Sequence, residues 1–91
     1  MATFLIERNI PGASDLTPEQ LRGISATSNK VVDGLGVDYT WVRSFVAGDK
    51  IYCLHETEDV ETVREHARRG GFPADLVVTV AAEFGPETAN S

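Results

Sequence analysis

The chain has little that could staple it covalently or draw it onto charged polymers. It contains one cysteine, Cys53, in 91 residues, so no internal disulfide can form, a disulfide scaffold is excluded, and the lone thiol suits a reducing cytoplasm. Basic residues are scarce: 8 Lys and Arg stand against 14 Asp and Glu, a net charge of −6. Binding to phosphate backbones depends on clustered cations that release counterions, so this balance argues against nucleic acid and anionic membranes as partners. Long hydrophobic runs are also missing. The opening Met1-Ala2-Thr3-Phe4-Leu5-Ile6-Glu7-Arg8 has neither the basic start nor the apolar stretch of a signal peptide or anchor, and the expectation is a cytoplasmic protein. No repeat or low-complexity segment interrupts the chain.

What is present describes one small domain. With 42% hydrophobic and 24% charged residues, the composition is that of a folded chain, read as a single domain over 1–86 with a flexible polar tail at 87–91. A domain of this size buries only roughly 60–65% of the surface its unfolded chain exposes, which leaves apolar surface for a partner subunit.

Thr3 to Ile10 alternates in the manner of a strand and stops at Pro11-Gly12. Thr17-Pro18-Glu19-Gln20 then reads as a helix start, with an N-cap hydroxyl, a proline at the first helical position and a glutamine placed to close a capping box. Leu21, Ile24, Ser28, Val31, Val32 and Leu35 follow at helical spacing, and Gly34 and Gly36 end the run. Asp38–Ala47 and Lys50–Glu56 are rich in β-branched and aromatic residues around Gly48-Asp49, a β-hairpin. A second helix is predicted from Glu58 to Arg69, acidic at its start and basic at its end, as the helix dipole favours. Asp75–Phe84 supplies the last strand. The order β-α-β-β-α-β predicts an α+β ferredoxin-like sandwich, two helices covering one face of a four-stranded antiparallel sheet.

Strand parity predicts what the bare face carries. Phe4 and Ile6, Tyr52 and Leu54, and Leu76, Val78 and Val80 are assigned to the helix side. Glu7, Cys53, His55, Thr79 and Glu83, with Leu5, Ile51, Val77, Trp41, Arg43 and Phe45, fall on the helix-free side. So apolar a surface predicts a second copy packed face to face, a homodimer resembling an α/β barrel.

Cys53 and His55 lie two apart on one strand, so both donors sit on one face; thiolate and imidazole suit zinc, copper or nickel, and Glu7 could add a carboxylate. The plainer reading is a buried thiol beside a hydrogen-bonded histidine. His66 sits near the edge of the second helix's apolar stripe, where it could ligate metal, move a proton or simply pack on the sheet edge. Glu7 equally suits a cross-strand ion pair with Arg43. Gly34-Leu35-Gly36 ends a helix where a phosphate loop would begin one, which argues against a nucleotide cofactor, and no nucleophile elbow occurs.

The runs Phe4-Leu5-Ile6-Glu7-Arg8-Asn9-Ile10-Pro11-Gly12, Thr17-Pro18-Glu19, Lys50-Ile51-Tyr52-Cys53-Leu54-His55-Glu56 and Val63-Arg64-Glu65-His66-Ala67-Arg68-Arg69-Gly70-Gly71-Phe72-Pro73-Ala74 resemble a family of small bacterial proteins. Most of its members carry only the label of a domain of unknown function, and some are named nickel-binding proteins. The resemblance implies a ferredoxin-like fold that dimerises and binds nickel or another transition metal. Many members have Tyr or Phe where this chain has His55, so Glu65 and His66 inherit the family motif more directly. With the one-face placement of Cys53, His55 and Glu7, it makes His55, His66, Cys53 and Glu7 the candidate metal ligands. The alternative is a small-molecule pocket between helices and sheet, possessing a catalytic His55 or His66 and walls from Trp41, Arg43, Phe45 and Tyr52.

Overall fold

The computed structural model describes residues 1–91. Four strands, β1 (Ala2–Asn9), β2 (Tyr39–Ala47), β3 (Lys50–Thr57) and β4 (Leu76–Thr79), form one sheet in the order β2-β3-β1-β4, every pair antiparallel. The connections carry α1 (Pro18–Gly34) and α2 (Val60–Gly70). This is the ferredoxin-like arrangement. The last strand is much shorter than predicted, and Pro86–Asn90 forms a short, exposed 3₁₀ stretch.

The helix ends follow the local chemistry of the chain. Thr17 accepts from the Gln20 backbone N–H while the Gln20 side chain accepts from the Thr17 N–H, the reciprocal capping box that satisfies two otherwise orphaned donors. Asp59 caps α2 one-sidedly, its carboxylate accepting from the Thr62 backbone N–H and hydroxyl. These hydrogen bonds hold the exposed Asp59 carboxyl below its ordinary value. Gly71 ends α2 at φ 72°, a left-handed conformation that glycine enters without a Cβ clash.

The core lies between sheet and helices. Phe4, Ile6, Ile51, Cys53 and Val63 pack together with Ala13 from the loop after β1. Burying each large aliphatic or aromatic side chain there contributes about 1.5–3 kcal/mol.

Three parity expectations are overturned. On β3 it is Ile51, Cys53, His55 and Thr57 that are buried, while Tyr52 and Leu54 lie on the outer face. The ladder imposes this: Phe4 and Ile6 are buried on β1, and the residues opposite them are His55 and Cys53. Ranking the two β3 sets by apolar bulk gave the wrong side, because the imidazole and thiol find polar partners beneath the helices. On β4, Val77 pairs with Ile6 and packs on the core, leaving Leu76 and Val78 outside. On β2 a bulge between Trp41 and Arg43 shifts the phase, so that Trp41 pairs with His55 on the inner side while Arg43 and Phe45 pair with Leu54 and Tyr52 on the outer side.

Candidate functional site between helices and sheet

The helices do not close over the whole inner face. A cavity of about 430 Å³ opens between α1, β2, β3 and the segment after α2, a size suited to a small organic molecule. Its α1 wall carries Ser25 and Ser28 beside Leu21 and Ile24. These short side chains leave room where the helical stripe would otherwise present bulk.

Two histidines form its polar floor. His55 enters from β3, flanked in the ladder by Phe4 and Trp41, and His66 comes from α2. Each is 1% exposed, and their ring centres lie 4.9 Å apart, edge to face at 81°. Tyr39 stacks on one face of His66 at 5.3 Å and Phe72 lies 5.6 Å away at a shallow angle of 26°. The Tyr39 hydroxyl shares a hydrogen bond with His55 Nδ1. Burial raises the Tyr39 phenol far above its ordinary value, so it keeps its proton.

Burial also pushes His55 down to about 3, with the neighbouring His66 and Arg8 charges acting in the same direction. His66 falls to about 4 for the same first reason, helped by Arg8 and opposed by a hydrogen bond to Ser28. Both imidazoles are therefore neutral near pH 7. His66 Nε2 lies 2.9 Å from Ser28 Oγ, while its Nδ1 is buried with no hydrogen-bond partner.

A second polar chain runs along the cavity. Trp41 Nε1 donates to Ser44 Oγ at 2.9 Å, and Ser44 donates to Cys53 Sγ at 3.0 Å. The sulfur also accepts from Arg8 Nε at 3.4 Å. Arg8, 4% exposed, donates through Nη1 to the Pro73 carbonyl and lies 5.5 Å over the Phe72 ring.

The residues marked in the sequence thus separate into two sets. His55, His66 and Cys53 share the cavity side, not the bare face on which Cys53 and His55 were expected. Glu7 is on the opposite face, where its partner is Lys50 at 3.3 Å and not Arg43. No group of three or more His, Cys, Asp or Glu donors comes together. Of the expected pocket walls, Trp41 lines the cavity; Arg43 touches its rim at the bulge but is exposed and, like Phe45 and Tyr52, pairs on the outer face. Glu65 binds Arg68 and Arg69 on the surface of α2.

Sequence reasoning passed over Arg8, Ser28, Tyr39 and Ser44. For Arg8 a signal existed: it shares parity with Phe4 and Ile6, so an arginine on the core face of β1 follows directly from the alternation. Ser28 stood in the predicted stripe without a role. Nothing local marked Ser44, since its inward direction depends on the bulge.

A family model described as nickel responsive protein SCO4226-like matches residues 4–80. The crystal structure of SCO4226 from Streptomyces coelicolor A3(2) is similar with a TM-score of 0.71 and 25% identity, over 91% of this chain and 100% of that one. No curated protein matches. The matched span takes in both helices, β2 to β4 and most of β1, and the chain belongs to the SCO4226-like family of nickel responsive proteins.

Proposed function

We propose that the protein is a homodimer that binds a small organic molecule in the cavity between helices and sheet. The observation that carries this reading is the cavity itself, which combines an apolar wall with convergent polar groups from His55, Ser28 and Arg8. Dimerisation is supported by the outer face, where Phe45 is 54%, Leu76 47% and Val78 40% exposed beside Leu5, Tyr52 and Leu54. Trp41, the single tryptophan, lines the cavity and reports on it. The test is to titrate ¹⁵N-labelled protein with benzyl alcohol, phenylacetamide and phenylacetate. A saturable shift of the Trp41 indole resonance with at least one of them is expected; no shift with any at millimolar concentration overturns the reading.

Nickel, which the family description invokes, meets an incomplete site on this chain. Imidazole and thiol are donors that nickel, copper and zinc accept. Yet they do not assemble three to a site, the expected carboxylate of Glu7 is on the far face, and the buried Arg8 lines the same cavity as the histidines. Its guanidinium repels a dication. This donor set does not hold a resident nickel ion unaided.

A second reading, nickel bound together with ligands from outside the chain, is favoured by the buried and unpartnered Nδ1 of His66. Calorimetric titration of tag-free protein with Ni²⁺ tests it. Saturable heat that disappears in His66→Phe supports ligation there, and absence of heat, with or without added carboxylate, sinks it.

A further inference from the structure

We propose that the ligand of this cavity is a small organic carboxylate, with its carboxylate on the Arg8 guanidinium and its apolar part against Ile24, Trp41 and Phe72. This inference rests on the small-molecule reading above and names the chemistry of that molecule.

Arg8 is a buried cation without a counter-ion. The ion pairs of the structure join Lys50 to Glu7 and Arg68 and Arg69 to Glu65, and none reaches Arg8. Its hydrogen bonds go from Nε to a sulfur and from Nη1 to a carbonyl, both on uncharged or weakly accepting partners, which leaves the second Nη1 hydrogen and both on Nη2 for another acceptor. A buried guanidinium is costly unless an anion pairs with it.

The cavity contains no such anion of its own. Its lining includes the buried Arg8 and not one Asp or Glu, although acidic residues outnumber basic ones 14 to 8 in the chain. The Phe72 ring beneath the guanidinium and the Pro73 carbonyl hold the fork in place, and a planar fork matches a carboxylate in two parallel hydrogen bonds.

An inorganic ion would satisfy the charge but not the shape. At about 430 Å³, with nine hydrophobic residues among its sixteen lining residues, the cavity needs an apolar body attached to the acid. Ser25 and Ser28 add polar positions on the α1 wall for a further substituent.

The experiment compares phenylacetate with its isosteric amide, phenylacetamide, and with acetate and inorganic phosphate, on full-length protein, read by Trp41 fluorescence and by amide shifts. Phenylacetate is expected to bind about tenfold tighter than phenylacetamide, the effect of one charge-assisted hydrogen-bonded pair. The preference should vanish in Arg8→Met and shrink in Arg8→Lys. Equal affinity for acid and amide overturns the carboxylate assignment while leaving the small-molecule reading intact; binding of none of these probes removes that reading and this one together. Acetate or phosphate binding as tightly as phenylacetate also overturns the proposal. Should Arg8→Met fail to fold, the acid-to-amide ratio in the unsubstituted protein decides the matter.

Discussion

His66 reaches from α2 to meet His55 of β3 edge to face, their ring centres 4.9 Å apart and both rings shut off from solvent. Neither ring can take a proton there without placing a cation beside Arg8 in a poorly hydrated space. The pair is thus held uncharged by the fold, and the fold in turn depends on its staying so.

That dependence gives a pH prediction. Both histidines have an ordinary value of 6.5 and are depressed in the folded protein, to about 3 and about 4. The unfolded chain therefore binds more protons than the folded one below about pH 6.5, and their contribution to stability is full above that value and is lost as the pH falls towards the folded values. Thermal unfolding followed from pH 8 to pH 4 should show a midpoint that is flat above pH 7 and declines below it. His55→Gln and His66→Gln should each flatten the decline. An unchanged midpoint down to pH 4 would contradict the buried, neutral assignment.

Ile6 is completely buried at the centre of the core. Ile6→Ala should cost about 2–5 kcal/mol in urea unfolding, from lost burial and the cavity left behind. A loss below about 1 kcal/mol would mean that the helices collapse freely onto the sheet at this point.

The proposed dimer makes a prediction for the outer face. Leu54 lies there between Leu5 and Arg43 in the ladder, so Leu54→Glu should yield a monomer of 9.9 kDa by light scattering, with its helical circular dichroism retained. An unsubstituted protein that already runs as a monomer at micromolar concentration would remove the dimer.

Ser44 links Trp41 to Cys53. Replacing it with alanine leaves the indole N–H without its acceptor and should cost about 1 kcal/mol, accompanied by a change in Trp41 emission. An emission spectrum identical to that of the unsubstituted protein would show that the indole is held by packing alone.

The fold was legible because its signals are local. The Thr17 box, the glycine after α2 and the hairpin around Gly48-Asp49 each name an element from a few neighbouring residues, and their order gives the topology. The faces were less legible. For β3 both alternating sets are partly apolar, so only the pairing of His55 with Phe4 and of Cys53 with Ile6 decides which set is buried. The candidate site inherited this ambiguity: Glu7 was grouped with Cys53 and His55 because all three were placed on the bare side. His66 illustrates the other limit. Its helical position was readable, but its meeting with His55, Tyr39 and Phe72 depends on how α2 crosses the sheet.

The bulge after Trp41 means that β2 holds one residue more than its ladder uses. Counting by twos along this strand therefore fails at one point, and Trp41 and Ser44, three apart, come to the same side as residues do on a helix. The extra residue lets one edge strand serve two tasks: it walls a binding space with an indole and a hydroxyl, then turns Arg43 and Phe45 outward to where a second subunit would sit. A change in strand length by one residue at Val42 is consequently a change of wiring between cavity and outer face, achieved without altering a single functional side chain.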